Sequence, residues 1–426
     1  MRVYVPSIYN VGFRNTQYKN IIYNTYSGAL VALENALEDY LPENSRDISV
    51  TKALIEQGFF VDENCDELQR ILVQRNEAIF GMSTVQLHYD IATTLKCQAK
   101  CSYCFENKIG MKNTMSHEIL TSTIEYIKKE VLHYKPQKLH ITFFGGEPLV
   151  DYDQLLEIGK TIKSFCDISS VDFTSKMITN GIALSYTRAK ELKDQVGLTD
   201  VQITLDGLRD TYAAIKKIDA FDKVVENISE ISDVLNVIVR LNISSQNVNE
   251  IKELIEYLLE KNELDGKIKI YLAKVERTQG CDFSDKICLN EKRYEDTRLQ
   301  IYKDLAKRYR SLIIDNLVPK VRRNYCGLER VNAAVIGPDG KLYKCEKTLG
   351  FEDKTIGDVY TGKYYNKNEI CYYDALPQNC FKCSLLPVCF GGCPYRRVMD
   401  KTGISCEYKL TQLKNSIETY LHCMNS

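Results

Sequence analysis

The stretch Lys96-Cys-Gln-Ala-Lys-Cys-Ser-Tyr-Cys-Phe105 decides how the chain is interpreted, because it places three cysteines on one short loop. Cys97, Cys101 and Cys104 follow the first of six predicted strands, at the carboxyl end where α/β barrels build their sites. Three thiolates can hold three irons of a cubane iron–sulfur cluster and leave the fourth iron open. A structural zinc site lacking one ligand and plain buried thiols are the alternatives.

Around this loop, between residues 85 and 274, apolar runs alternate with amphipathic stretches, which predicts consecutive βα units on a parallel sheet. Apolar side chains at helical spacing predict a helix over 117–132. Six units are fewer than the eight of a closed barrel, so an open barrel or a doubly wound sheet is expected. The predicted strands are 85–91, 139–144, 171–178, 201–205, 237–243 and 268–272.

Charge and composition limit which binding partners and which cellular compartment can be expected. The 426 residues include 56 basic and 57 acidic side chains, so no global field attracts nucleic acid or an anionic membrane. The sequence shows no secretory signal and no run of eighteen apolar residues, which predicts a cytoplasmic protein without membrane or nucleic-acid partners. In such a chain clustered cysteines usually bind metal. Six scattered cysteines are interpreted as plain thiols, namely Cys65, Cys166, Cys281, Cys288, Cys371 and Cys423.

The Cys-x3-Cys-x2-Cys spacing, with Tyr103 before the last cysteine, resembles the signature of the radical S-adenosylmethionine (SAM) superfamily. The resemblance implies a partial (β/α)6 barrel in which SAM chelates the open iron. One electron, from a flavodoxin, a ferredoxin or a small reductase, would then cleave SAM to a 5′-deoxyadenosyl radical that abstracts substrate hydrogen.

Three turns after later strands are similar to turns of the same superfamily. They are Gly145-Gly146-Glu147-Pro148, Thr179-Asn180-Gly181 and Thr204-Leu205-Asp206-Gly207, with Thr204 in place of the commoner serine. Ordinary turn caps are the alternative for the later positions. The cofactor-binding residues that the resemblance implies are Tyr103, Gly145, Gly146, Glu147, Thr179, Asn180, Asp206 and Arg240, with Asn242 beside the last.

Seven further cysteines resemble the cysteine-rich SPASM extension of this superfamily, although Cys380 to Cys393 alone would also suit a zinc ribbon. The resemblance implies two auxiliary [4Fe-4S] clusters, three clusters in all. Cys380, Cys383, Cys389 and Cys406 would hold one of them, and Cys326, Cys345 and Cys393 the inner one. Three thiolates leave an open iron, which could bind a substrate thiolate unless Cys281 or Cys288 fills it.

Two carboxylates are candidate catalytic residues. Glu346 follows Cys345, where the sulfatase-maturing relatives carry an aspartate that serves as base. Asp206 is the second candidate. A surface pair between Glu346 and Lys347 is the alternative interpretation of the first.

The first 84 residues resemble the winged-helix-like recognition element of peptide-modifying radical SAM enzymes, with strands over 3–8, 19–24 and 29–33 and helices over 44–57 and 66–80. Such an element binds a leader peptide as an added strand, and a structural cap is the alternative. The predicted domains are this element at 1–84, the barrel at 85–274, a helical connector at 275–324, and a SPASM domain with a C-terminal helix at 325–426.

These expectations predict an enzyme, a peptide maturase that joins a cysteine sulfur to carbon in a ribosomally made precursor with a leader. The alternatives are a formylglycine maturase, a carbon–carbon crosslinking maturase and, outside enzymes, a zinc-binding peptide scaffold.

Overall fold

The computed structural model describes residues 2–14, 18–80, 86–108, 113–261, 263–277, 286–309, 317–364, 376–400 and 406–425. The strands are β1 Tyr4–Pro6, β2 Asn10–Phe13, β3 Asn20–Asn24, β4 Leu30–Leu33, β5 Phe60–Asp62, β6 Gln86–Ala92, β7 Lys138–Phe144, β8 Asp172–Thr179, β9 Leu198–Thr204, β10 Asn236–Ile243, β11 Ile268–Lys274, β12 Ala333–Ile336, β13 Lys341–Tyr343, β14 Thr355–Asp358 and β15 Gly362–Lys363.

The α-helices are α1 Ile48–Glu56, α2 Glu67–Ile79, α3 His117–Tyr134, α4 Tyr152–Ile168, α5 Tyr186–Val196, α6 Arg209–Lys216, α7 Phe221–Ile231, α8 Ile251–Glu256, α9 Glu291–Leu305, α10 Leu386–Cys389 and α11 Cys406–Asn425. None of these helices is long and apolar enough to span a membrane.

The chain divides into two compact units, one of which is 82–313 with 331–370. In it, β6 to β11 form six neighbouring parallel strands, in the order β11-β10-β9-β8-β7-β6. The predicted α/β class and its six strands are therefore confirmed, except that Val85 lies outside the described residues. The predicted helix over 117–132 is also confirmed, as α3, which Ser116 caps by accepting a hydrogen bond from the Ile119 amide.

The sheet continues beyond the six predicted strands. β12 pairs parallel with β6, and β13, β14 and β15 follow as antiparallel neighbours. The sequence did not signal these four strands, because strands of two to four residues carry almost no periodicity.

The other unit consists of 1–81, 314–330 and 371–426, so it combines the two ends of the chain. Its strands form a pair, β1-β5, and a three-stranded sheet, β2-β3-β4. The predicted strands and helices of the first 84 residues are present, together with β2 and β5, which the sequence did not signal.

One core joins the ends of the chain within this unit. Val11, Ile21 and Tyr23 pack with Leu413 and Ile417 of α11. Each compact unit combines parts of more than one predicted domain. The division into four domains therefore stays a prediction. Part of the predicted connector, at 278–285 and 310–316, lies outside the described residues.

Candidate active site

The loop after β6 carries the first cysteine group, and its three thiols lie within electrostatic reach of one another. Burial raises the pKa of Cys97 to about 11 and the pKa of Cys104 to about 12, with smaller contributions from the neighbouring sulfurs. Burial also raises the pKa of Cys101, while the nearby Lys216 ammonium lowers it. Without metal these thiols stay protonated at neutral pH, so metal binding would release protons.

Gly145 and Gly146, after β7, pack directly against this loop. The Gly146 amide donates to the Thr94 carbonyl at 3.1 Å, and the Glu147 amide donates to the Lys96 carbonyl at 2.9 Å. A Cβ at Gly145 would lie 2.4 Å from the Thr94 oxygen, and one at Gly146 would lie 2.5 Å from the Lys96 oxygen. Only glycine permits this backbone approach, which makes the turn a template for the cysteine loop.

Glu147 connects the ends of β7 and β8 and is fully buried. Its carboxylate accepts hydrogen bonds from the Thr179 hydroxyl at 2.7 Å, the Asn180 amide at 2.7 Å and the Leu149 amide at 3.1 Å. The Asn180 side chain then donates to the Cys97 sulfur at 3.8 Å. These three predicted cofactor-binding residues thus form a chain of hydrogen bonds that ends on a cysteine of the loop.

A buried ion pair between the turn after β9 and the last residue of α6 supports Tyr103. The Lys216 ammonium lies 2.6 Å from the Asp206 carboxylate, and both side chains are enclosed. The Tyr103 hydroxyl donates to Asp206 and accepts from Lys216 at 2.9 Å and from Asn242 at 3.1 Å. Burial is the largest influence on the pKa of Lys216 and lowers it, but Asp206, Tyr103 and Cys101 together raise this pKa well above its usual value. Burial and the Asp206 charge also raise the pKa of Tyr103.

Asp206 and Lys216 both contact the Tyr103 hydroxyl. The Asp206 side chain has no exposed surface and contacts Tyr103 and Lys216, so the contacts support positioning of Tyr103. Lys216 was not found from the sequence, because a lysine near the end of an amphipathic helix looks like a solvated residue. The catalytic and cofactor-binding assignments of Asp206 stay predictions.

The first cysteine group lines a cavity of about 580 Å³, a volume within the range of small-molecule sites. The cavity brings together residues that the sequence places far apart: Cys97, Cys101, Tyr103, Cys104, Gly145, Gly146, Thr179, Asn180, Arg240 and Glu346. Tyr271 also lines it, and the Arg240 guanidinium lies 5.7 Å from the centre of this ring.

Two carboxyl groups in the cavity have no hydrogen-bonded or ion-paired partner among the described residues. Burial, followed by the Asp90 charge, raises the pKa of Glu346 to about 7. Burial, followed by the Glu346 charge, raises the pKa of Glu106 to about 8. Glu106 was missed by sequence analysis, although it stands two residues after Cys104. Lys347 pairs with Glu276 at 3.1 Å rather than with Glu346.

The second cysteine group is divided between the two compact units. Cys345 belongs to the barrel unit, whereas Cys326 and Cys393 belong to the unit that combines the chain ends. In the latter, the charges of Cys389, Cys383 and Cys406, after burial, raise the pKa of Cys380 to about 11, so these four thiols form a group. In the described part of the chain, neither these four thiols nor those of the first group converge as a single-ion site would require. Of the two candidates to complete the inner set, Cys288 is partly exposed and Cys281 lies outside the described residues.

The residues present suit the implied cofactors. Three grouped thiols, an amide donor to one sulfur and a nearby ammonium match the environment of a thiolate-ligated iron–sulfur cluster. The glycine turn lines the adjoining cavity and lets the loop approach it closely.

Residues 91–258 match the family model described as the Radical SAM superfamily, so the chain contains a radical SAM domain. A probable GTP 3′,8-cyclase of Saccharolobus islandicus is 28% identical over 291 residues, covering 64% of this chain and 87% of that protein. The radical SAM cyclopropyl synthase TigE of Paramaledivibacter caminithermalis is 24% identical over 193 residues, covering 42% and 40%.

Solved structures share the fold at low sequence identity. Native anSMEcpe with bound AdoMet and a Cp18Cys peptide has a TM-score of 0.60 and 15% identity, covering 80% of this chain and 98% of that one. Streptococcus suis SuiB bound to its precursor peptide SuiA has a TM-score of 0.53 and 15% identity, covering 95% and 98%.

Proposed function

Because residues 91–258 form a radical SAM domain, we propose that the chain is a radical SAM enzyme that modifies a ribosomally made peptide. One observation carries the proposal: three thiols, a glycine turn and two carboxyl groups that pair with no described side chain line one cavity at the carboxyl ends of parallel strands. When bound, the cluster and SAM would supply a 5′-deoxyadenosyl radical that takes a hydrogen atom from the substrate.

The cavity residues would have different roles in binding the cluster and SAM. Cys97, Cys101 and Cys104 would ligate the cluster, and Asn180 would donate to the first of these sulfurs. The Gly145–Gly146 turn would leave room for SAM, and Arg240, at the cavity wall, would face its carboxylate. The remaining predicted contacts, Tyr103, Glu147, Thr179 and Asp206, would position the loop and turns around SAM.

The proposed product is a thioether between a cysteine sulfur and a carbon of the same peptide. In forming this bond the carbon would give up a hydrogen atom and the thiol a proton. Cofactors held by Cys97, Cys101 and Cys104 would supply the acceptor for the hydrogen atom, and those held by the second cysteine group an acceptor for the remaining electron. We assign the proton acceptor to Glu346, because it lines the cavity and pairs with no described side chain.

A peptide substrate is supported by two fold relatives whose structures contain peptides, anSMEcpe with a Cp18Cys peptide and SuiB with its precursor SuiA. In this chain β4 is an edge strand of the three-stranded sheet β2-β3-β4. An extended leader could add to such an edge through main-chain hydrogen bonds. We therefore propose that the first 84 residues bind the leader.

The remaining cofactor and partner assignments follow from the same proposal. The seven cysteines of the second group would form a SPASM domain with two auxiliary [4Fe-4S] clusters, the inner one open to a substrate thiolate. A flavodoxin, ferredoxin or small reductase would supply the electron that starts each cycle, and the reaction would take place in the cytoplasm.

Mass spectrometry of a cysteine-containing precursor, incubated with reduced, reconstituted enzyme and SAM, tests the reaction. A thioether lowers the mass by two hydrogens and blocks alkylation of one cysteine. Formylglycine made from cysteine loses the sulfur, and a carbon–carbon crosslink loses two hydrogens while every cysteine stays alkylatable. Either of these products would replace the thioether, and zinc without iron or sulfide would favour the peptide scaffold.

A further inference from the structure

A buried charge network connects the N-terminal residues to one predicted cluster cysteine. The Glu329 side chain has no exposed surface, and one of its oxygens accepts hydrogen bonds from the Tyr325 amide at 2.8 Å and the Cys326 amide at 3.1 Å. Glu329 therefore fixes the main chain that presents Cys326.

Two arginines from distant parts of the sequence face the other oxygen of Glu329. Arg397 lies 3.3 Å away and Arg75, from α2, lies 4.0 Å away, with both guanidinium groups almost fully buried. Arg397 also donates to the Phe390 carbonyl at 2.9 Å and to the Gly392 carbonyl, between Cys389 and Cys393.

The two guanidinium groups of this network would favour a negatively charged, thiolate-ligated cluster close to them. The main chains of Cys326 and of the Cys389–Cys393 segment are both held by the network, and these are cysteines assigned to auxiliary clusters.

Apolar packing connects the same parts of the chain. Cys380 packs with Tyr9 and Ile71, and Ile71 lies one helical turn from Arg75 on α2. Cys383 and Cys389 pack against the core that contains Ile21 of β3. The N-terminal residues thus form part of the wall around the second cysteine group.

We infer that Arg75 is a positioning residue for the predicted cluster ligand Cys326, acting through Glu329 on the main chain of that cysteine. The proposed leader-binding module then has a second task, as a scaffold for the auxiliary clusters. This inference rests on the proposed function, because it requires the second cysteine group to hold iron.

The test uses the full chain with Cys97, Cys101 and Cys104 changed to alanine, so that the remaining iron belongs to the second group. In this background we compare Arg75→Ala and Arg75→Lys with Lys52→Ala, a control in the same module whose side chain is 76% exposed. Iron, sulfide and the electron paramagnetic resonance (EPR) spectrum of the reduced protein are measured on the anaerobically reconstituted chains.

Arg75→Ala should lose about half of the background iron, as expected when one of two four-iron clusters is lost. Arg75→Lys keeps the charge without the planar fork of donors, so it should retain more iron with an altered spectrum. Lys52→Ala should match the background. If Arg75→Ala does not fold, as judged by circular dichroism, the iron content and EPR spectrum of Arg75→Lys alone decide the test.

Two negative results are distinguishable. Background iron and spectra unchanged by both Arg75 variants would overturn this inference and leave the proposed function intact. A folded background without any iron would overturn the auxiliary clusters of the proposed function and this inference with them.

Discussion

Cys97, Cys101 and Cys104 lie on one loop that neighbouring turns of a single parallel sheet support, whereas Cys380, Cys383 and Cys389 pack against strands and a helix from the first eighty residues. The first site is assembled from consecutive βα units. Cys380, Cys383 and Cys389 lie in the unit that combines the two ends of the chain. Changes near the first site should therefore act locally, and changes in the N-terminal residues should act on the second.

The largest effect is expected for Gly146→Ala at the first site. The new Cβ would lie 2.5 Å from the Lys96 carbonyl and push the cysteine loop away from its turn. Displacing reacting groups by about 1 Å costs about 100-fold in rate, so release of 5′-deoxyadenosine should fall at least that far. Chromatographic assay of 5′-deoxyadenosine measures it.

Gly12→Ala is the matched control for this change, because its Cβ would come no closer than 4.0 Å to the Ile21 carbonyl. Equal activity of the two glycine variants would show that the template role assigned to the glycine turn is wrong.

Lys216→Met should destabilise the barrel unit, because it leaves the Asp206 carboxylate buried without its cation. Removing one partner of a buried pair costs about 3–5 kcal/mol in free energy of unfolding, measured here by denaturant titration. Lys216→Met combined with Asp206→Asn should recover part of the loss. Lys223→Met, at an exposed pair with Glu226, should stay close to wild type, and a similar loss there would contradict the special role of Lys216.

Ile417→Ala tests whether the chain ends share one core. The substitution creates a cavity against Val11, Ile21 and Tyr23 and should cost roughly 2–5 kcal/mol. Hydrogen exchange should show faster exchange at the amides of β3, about 395 residues away in sequence. Leu132→Ala, at a side chain 60% exposed on α3, should leave exchange in β3 unchanged. If Ile417→Ala also leaves exchange in β3 unchanged, packing between the two chain ends does not stabilise β3.

The smallest predicted effect is a pH dependence confined to the barrel unit. Burial, together with the neighbouring His88, lowers the pKa of His140 to about 4. An unfolded histidine binds its proton near pH 6.5, so the unfolded state takes up more protons between these values. Stability should therefore fall as the pH drops from about 6.5 towards 4, by roughly 1–3 kcal/mol.

Denaturant titrations of wild type and His140→Gln between pH 7.5 and 4.5 isolate this contribution. The stability difference between the two proteins should change across that range. A constant difference would show that the pKa of His140 is the same in the folded and unfolded protein.

The sequence was sufficient for β6 to β11 because strand-like runs there alternate with amphipathic helical stretches. It also signalled Cys97, Cys101 and Cys104 through their spacing, and the structure groups these thiols. Lys216 and Glu106 were missed, because a single charged residue carries no periodic signal. β12 to β15 were missed because they are short.

The core shared by the two chain ends could not be predicted from the sequence, for a different reason. The sequence around Tyr23 and around Ile417 indicates only that each side chain is buried. It does not indicate that the two side chains pack in the same core. Deleting residues 1–80 to test leader binding would expose that core, so point substitutions on the edge of β4 are the better experiment.

The central claim is that Cys97, Cys101 and Cys104 hold the cluster that splits SAM. The direct measurement is release of 5′-deoxyadenosine by reduced, reconstituted protein, comparing wild type with the triple alanine variant and with Cys380→Ala/Cys383→Ala. The account predicts release by wild type, none by the first variant and continued release by the second. Equal release by wild type and the triple variant, or none by wild type, would contradict it.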